Sequence, residues 1–172
     1  MKRWLRFTAA VLAAAFLFAL TGCGSSTNSA SFTWFVDSIP ANLDPQVASG
    51  ASDVIACENL YGTLVRKDPD GELVPGLCEK WTVSPDGLTY TFTLKDGLTY
   101  AAVKGAATEY DITAEDFVFA FRRIFRADTA SPYAVEFSAI QNSAAVQAGQ
   151  ADESSLGVSA NGVLTLVFRL SE

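Results

Sequence analysis

The chain has 172 residues, with 12 Lys and Arg against 19 Asp and Glu, a formal net charge of −7, and no histidine. The acidic balance disfavours nucleic acids and anionic lipid surfaces as partners. Without histidine, Ser-His and Cys-His nucleophile pairs are excluded and the commonest metal ligand is missing, so we expect neither an enzyme nor a bound cofactor.

The beginning of the chain has the pattern of a secretory leader. Three basic residues precede an apolar run that ends at Leu20, and this run is shorter than the roughly 20 residues of a membrane-spanning helix. The run leads into Leu-Thr-Gly-Cys, which resembles a bacterial lipobox and implies cleavage before Cys23 and lipidation of its sulfur. An uncleaved anchor or an ordinary secretory signal is the alternative. We therefore expect residues 1–22 to be a lipoprotein signal peptide.

The predicted mature protein is extracytoplasmic and anchored to the cell membrane through lipidated Cys23. Removal of the leader takes away its three basic residues, which leaves 9 basic against 19 acidic residues and a charge of −10. Residues 23–31 are small and polar, which is typical of a flexible linker. About 140 residues remain, enough for one domain with a core.

The first elements of this domain are a strand, a loop and a helix. Phe32 to Val36 is β-branched and aromatic, which favours a strand. Asp44 either binds a ligand's amino group or, as its place before Pro45 favours, bonds its own loop. Ser52 and Asp53 can cap a helix. One face of that helix would carry Val54, Cys57, Tyr61 and Leu64.

Cys57 and Cys78 are the two cysteines that remain beyond Cys23. In an exported chain they can form a disulfide. The alternative is two buried thiols that act as small hydrophobic residues, and the sequence leaves both open. Their spacing fits no zinc pattern.

The middle of the chain is punctuated by turns. Asp68–Gly71 and Ser84–Gly87 both combine Pro, Asp and Gly, as turns require. Apolar and polar residues alternate strictly from Leu88 to Lys95, which predicts a half-buried strand. The acidic residues near the first turn have part of the spacing of a calcium loop, but Leu73 stands where that loop requires glycine, so we expect no metal site.

Thr113 to Arg126 is the clearest predicted helix, with Thr113 at its N-cap and carboxylates in its first turn. Its buried face would carry Phe117, Ala120, Phe121, Ile124 and Phe125. The arginines of its second half suit the helix dipole.

Two further helices and a strand complete the prediction. Ser131-Pro132 can open one helix, and a second is predicted near Ile140 to Ala148. Alternation from Leu164 to Leu170 then predicts a strand. Strands and helices without a regular βαβ rhythm favour a mixed α+β fold.

Several motifs, in order, resemble one known family. They are Leu43-Asp44-Pro45, Val74-Pro75-Gly76 through Trp81, Ser84-Pro85-Asp86-Gly87 through Gly97, and Thr113-Ala114-Glu115-Asp116. Together they resemble bacterial extracytoplasmic solute-binding proteins of family 5, the receptors of ATP-driven peptide importers. The likeness runs from about Trp34 to the last residue.

The resemblance implies a type II periplasmic-binding-protein-like fold in which two lobes close on a peptide. Residues 32–61 would begin lobe I, and residues 62–172 would form the small second α+β domain. The ligand-side loop would be Ser49, Gly50 and Ala51. The implied partners are a peptide or other small solute, the permease subunits of an ABC importer and, through the lipid, the membrane.

Family members are several times longer than this chain, so we expect an N-terminal fragment or a truncated gene product. Two alternatives to peptide capture remain. One is a lipid-anchored surface domain that binds a partner protein, and the other is a truncated product that binds nothing.

Overall fold

The structure is a computed structural model that describes residues 33, 35, 37–101 and 110–171. The predicted signal peptide, Cys23 and the linker at residues 23–31 lie outside these ranges. So does most of the strand predicted at residues 32–36, and its two described residues, Thr33 and Phe35, are not in a strand. In the described ranges, no helix has both the length and the apolar character needed to cross a membrane.

The helices and strands of the described residues lie in the second of the two units into which the chain divides, Val36–Glu172. The helices are α1 (Ala51–Leu60), α2 (Ala114–Phe125) and α3 (Ser143–Gln147), with 3₁₀ turns at Ala134–Phe137 and Glu153–Ser155. The strands are β1 (Val65–Lys67), β2 (Leu73–Pro75), β3 (Cys78–Val83), β4 (Thr89–Leu94), β5 (Val158–Ala160) and β6 (Thr165–Arg169).

The strands form two antiparallel sheets. β1 and β2 pair with each other across the turn at residues 68–71. The larger sheet has the order β3-β4-β6-β5, so β6 lies between β4 and β5. Helices and antiparallel strands are therefore combined in a mixed α+β fold, as predicted.

The alternating segment predicted from Leu88 to Lys95 is confirmed as β4. It forms a hairpin with β3 across the predicted turn at residues 84–87, where Gly87 has a φ of +76°, a conformation that favours glycine. Trp81 of β3 and Phe92 of β4 stack with ring centroids 6.4 Å apart. The rings hold the two strands together on one face of the sheet.

Helix α2 confirms the prediction for residues 113–126. The carboxylate of Asp116 accepts hydrogen bonds from the backbone N–H and the hydroxyl of Thr113, at 2.7 and 2.8 Å. The helix packs against β5 and β6, which buries Ile124 and Phe125 of the predicted face and also Val118, which the prediction did not include. The rest of the predicted face, Phe117, Ala120 and Phe121, is only partly buried. The core contains Leu94, Val118, Phe125, Val158 and Leu166, each at most 1% exposed.

The start of α1 differs from the prediction. Ser52 and Asp53 lie inside the helix, which begins at Ala51. The carboxylate of Asp53 is used elsewhere, because its Oδ1 accepts hydrogen bonds from the backbone N–H groups of Ala41 and Asn42, at 2.7 and 3.3 Å.

Two later helices are shorter than predicted. The helix expected near residues 140–148 begins only at Ser143, because Asn142 has a left-handed backbone with a φ of +64°. Ser131-Pro132 opens a turn rather than an α-helix, and the helical residues there are the 3₁₀ turn at Ala134–Phe137.

Candidate functional site

The residues of the predicted ligand-side loop, Ser49 to Ala51, are exposed; Gly50 is the N-cap of α1 and Ala51 is its first residue. It follows Ala48, which is only 2% exposed. Gly50 accepts a hydrogen bond from the N–H of Val54 at 2.9 Å. A Cβ atom at Gly50 would lie 3.2 Å from Oδ2 of Asp53, which is closer than ordinary contacts. A side chain at residue 50 would therefore push against the carboxylate that holds residues 41 and 42.

The residues before this loop form a compact turn around Asp44. Its N–H donates to Oδ1 of Asn42 at 2.9 Å, and its Oδ1 accepts from the N–H of Gln46 at 3.0 Å. Its carbonyl oxygen accepts from the N–H groups of Val47 and Ala48. The predicted hydrogen bonding of Asp44 to its own loop is confirmed.

Arg123 of α2 joins this turn to the rest of the domain. Its Nη1 and Nη2 donate to Oδ1 and Oδ2 of Asp44 at 3.0 and 2.5 Å, and Nη1 also donates to Oε1 of Gln46 at 2.7 Å. The hydrogen bonds from the Arg123 guanidinium are the main reason that the pKa of Asp44 lies below its ordinary value. Two side chains separated by 79 residues form this pair, and nothing in the local sequence pattern indicates it.

Three more hydrogen bonds anchor the turn. Nε2 of Gln46 donates to the carbonyl oxygen of Ala120 at 2.7 Å. The hydroxyl of Ser131 donates to the carbonyl oxygen of Gln46 at 2.6 Å, and the hydroxyl of Tyr133 donates to that of Ala48. We call residues 44–48, with the side chains that hold them, the anchored turn. Its last residue is the one that precedes Ser49.

An open pocket of about 870 Å³ lies beside the anchored turn. This volume is typical of small-molecule sites. Its walls include apolar residues of α1 and the 3₁₀ turn, such as Val54 and Phe137, and its lining carries charges of both signs, from Glu58, Glu136, Arg66 and Lys95. Ser49, Gly50 and Ala51 are not among the residues that line it.

Cys57 and Cys78 are free and buried, as in the second of the two alternatives for this pair. Cys57 lies on α1 and lines the pocket, and Cys78 begins β3. Burial is the main cause that raises the pKa of the Cys57 thiol, and Asp53 and Asp44 raise it further. Cys57 is thus a poor nucleophile. The described residues contain no cluster of three or more His, Cys, Asp or Glu side chains that could hold a metal ion.

The fold is that of type II periplasmic binding proteins. It matches a structure of the periplasmic murein tripeptide-binding protein MppA in its unliganded open form, with a TM-score of 0.66 and 34% identity over 77% of this chain. It also matches a structure of Haemophilus influenzae OppA in complex with RPPGFSPFR, with a TM-score of 0.66 and 30% identity over 77% of this chain. The match covers 25% of each of those two chains.

Residues 72–172 match the profile described as bacterial extracellular solute-binding proteins, family 5 middle. The chain belongs to this family, whose members are extracytoplasmic binding proteins that take part in transport rather than enzymes.

Curated relatives agree with this assignment. The chain is 34% identical to the periplasmic murein peptide-binding protein MppA of Escherichia coli, in an alignment of 135 residues that covers 77% of this chain. It is 35% identical to the oligopeptide-binding protein SarA of Streptococcus gordonii, in an alignment of 144 residues that covers 82% of this chain. The alignments cover 24% and 21% of those relatives, so the chain spans about a quarter of their length.

Proposed function

We propose that this chain belongs to a lipid-anchored, extracytoplasmic receptor that captures peptides for an ABC importer. The observation that carries the proposal is the match, in both sequence and fold, to proteins named for peptide binding, one of them in complex with a peptide. Lipobox-like residues 20–23 support the anchoring. The permease subunits of the importer would be its protein partners.

In this proposal residues 32–61 begin lobe I and residues 62–172 form the small second domain. Ser49, Gly50 and Ala51 would present their backbone to the peptide, and their exposure supports that role. Hydrogen bonds between main chains give affinity with little dependence on side chains. A receptor of this kind binds peptides of varied sequence and releases them unaltered.

One observation favours a second class of ligand. The chain is 35% identical over 135 residues to a probable deoxycholate-binding periplasmic protein of Escherichia coli, YgiS. The apolar walls of the pocket would accept the hydrocarbon part of an amphipathic carboxylate, and Arg66 and Lys95, which line the pocket together with Glu58 and Glu136, would pair with its charge. An amphiphilic anion is therefore the second candidate.

The test is to extract the protein from the membranes of its own host and to identify what is bound to it. Mass spectrometry of the intact protein gives the length and the lipid, and denaturation releases the ligand. We expect a diacylated N-terminus at Cys23 and a mixture of short peptides. Amphiphilic anions without peptides would support the second candidate, and folded protein with neither would contradict both.

A further inference from the structure

We propose that Arg123 is a positioning residue that fixes the Ser49–Ala51 loop on the small domain. It acts through the anchored turn and does not itself touch the ligand. This role rests on the proposed function, because Arg123 can help to present the loop to a peptide only if the protein binds a peptide there. The contact itself is independent of any ligand.

The loop is held at both of its ends. On the N-terminal side, Arg123 binds the side chains of Asp44 and Gln46, and Tyr133 binds the carbonyl oxygen of Ala48. On the C-terminal side, α1 begins immediately, and its Asp53 binds the backbone of residues 41 and 42. Ser49 and Gly50 therefore lie between two fixed points, and Ala51 is already part of α1, so the backbone groups of these exposed residues have little freedom and are preorganised for a partner.

Arg123 is better suited to this task than a lysine would be. Its guanidinium reaches both oxygens of the Asp44 carboxylate and a third acceptor, Oε1 of Gln46. A planar fork with several donors fixes the direction of a carboxylate, whereas an ammonium group acts as a point charge. The orientation of the anchored turn, and not only its attraction to α2, therefore depends on this side chain.

Arg126 provides a comparison on the same helix end. It forms an exposed ion pair at 2.8 Å with Asp128, only two residues away, and the side chains are 44% and 67% exposed. The side chains of Arg123 and Asp44 are 33% and 30% exposed, and their pair joins parts of the chain 79 residues apart. Loss of the Arg126 pair changes a local contact, whereas loss of the Arg123 pair releases the segment that leads to Ser49.

The experiment measures amide hydrogen exchange in the host-purified protein and in its Arg123→Gln, Arg123→Lys and Arg126→Gln variants. We expect Arg123→Gln to raise exchange across residues 42–51 by about tenfold, as the loss of charge-assisted hydrogen bonds implies, while β4 and β6 keep their rates. Arg123→Lys should give an intermediate rise, and Arg126→Gln none. Unchanged exchange in residues 42–51 of Arg123→Gln, or an equal rise in β4 and β6, would overturn the proposal.

The same samples separate this inference from the proposed function. The amount of peptide that co-purifies should fall in Arg123→Gln and stay constant in Arg126→Gln. A loosened loop with an undiminished peptide content would overturn the positioning role. If the unaltered protein carries no peptide, the proposed function fails, while hydrogen exchange still decides whether Arg123 fixes the loop. If Arg123→Gln does not fold, Arg123→Lys provides the same comparison.

Discussion

Phe121 of α2 meets Phe168 of β6 edge to face, with ring centroids 4.8 Å apart and planes at 81°. A second edge-to-face contact joins Phe121 to Phe137, at 5.2 Å. Phe121 thus links the helix to the sheet and to the following 3₁₀ turn. Such aromatic pairs add about 0.5–1.5 kcal/mol each to the effect of burial.

Replacement of Phe121 by Asp should unfold the domain, because it places a carboxylate without a partner among these rings. Phe119→Asp is the matched control, since Phe119 lies on the same helix but is 62% exposed. Thermal unfolding followed by circular dichroism distinguishes the two variants. A normal melting curve for Phe121→Asp would contradict the assignment of the buried face.

The Asp44–Arg123 pair should make stability depend on acid pH. The folded pKa of Asp44 is lowered from 3.8, so its contribution is complete above that unfolded value and is lost as the pH falls through the lower folded value. Asp44→Asn should cost about 1 kcal/mol of unfolding free energy at neutral pH, since the pair is partly exposed. The difference from the unaltered protein should vanish in acid.

Urea unfolding at a series of pH values measures this difference. Asp128→Asn is the control, because it removes an exposed and local ion pair and should have a small effect at every pH. If the difference in unfolding free energy between Asp44→Asn and the unaltered protein stays constant in acid, the fold does not stabilise the charged form of the Asp44 carboxylate.

Cys23→Ala should prevent lipidation and move the protein from the membrane fraction to the soluble fraction. Ser26→Ala is the control, since it alters the predicted linker and leaves the lipobox-like residues intact. Fractionation with metabolic labelling by a radioactive fatty acid measures both effects. Membrane retention of Cys23→Ala at the level of the control would contradict the lipobox.

The thiols of Cys57 and Cys78 should react with a disulfide reagent only after unfolding. Cys78 is 0% exposed and Cys57 is 7% exposed, so neither presents a thiolate to solvent. Protein of residues 24–172, purified without reductant and unfolded in denaturant, should react with two equivalents of the disulfide reagent and release two equivalents of its coloured thiol. Variants with one cysteine changed to serine should release one. No release from the unaltered protein would show a disulfide.

The elements that were predicted correctly are those whose local pattern is strong. The alternation at residues 88–95 defines β4, and the capping residues Thr113 and Asp116 mark the start of α2. The strand predicted at residues 164–170 is confirmed as β6. In each case the residues that define the element are neighbours in sequence, so short-range preferences are sufficient.

What the sequence alone did not reveal depends on distant partners. β5 has only three residues and exists through its pairing with β6. Asp53 was expected to cap α1 but instead binds the backbone of residues 41 and 42. The Arg123–Asp44 contact joins residues 79 apart. Such contacts are decided by how the whole chain folds, which local propensity does not encode.

The position of β6 in the larger sheet determines when the domain can fold. β6 pairs with β4 on one side and with β5 on the other, so until residues 165–169 have been synthesised β4 can pair only with β3, and β5 has no partner strand in this sheet. Before that, Phe121 also lacks the ring of Phe168. Pairing between β4 and β6 is slow because the two strands are far apart in sequence. Until those residues emerge, a nascent chain can hold only the β3–β4 hairpin of this sheet, and an incompletely folded chain is the state in which a polypeptide can still be threaded through a membrane pore.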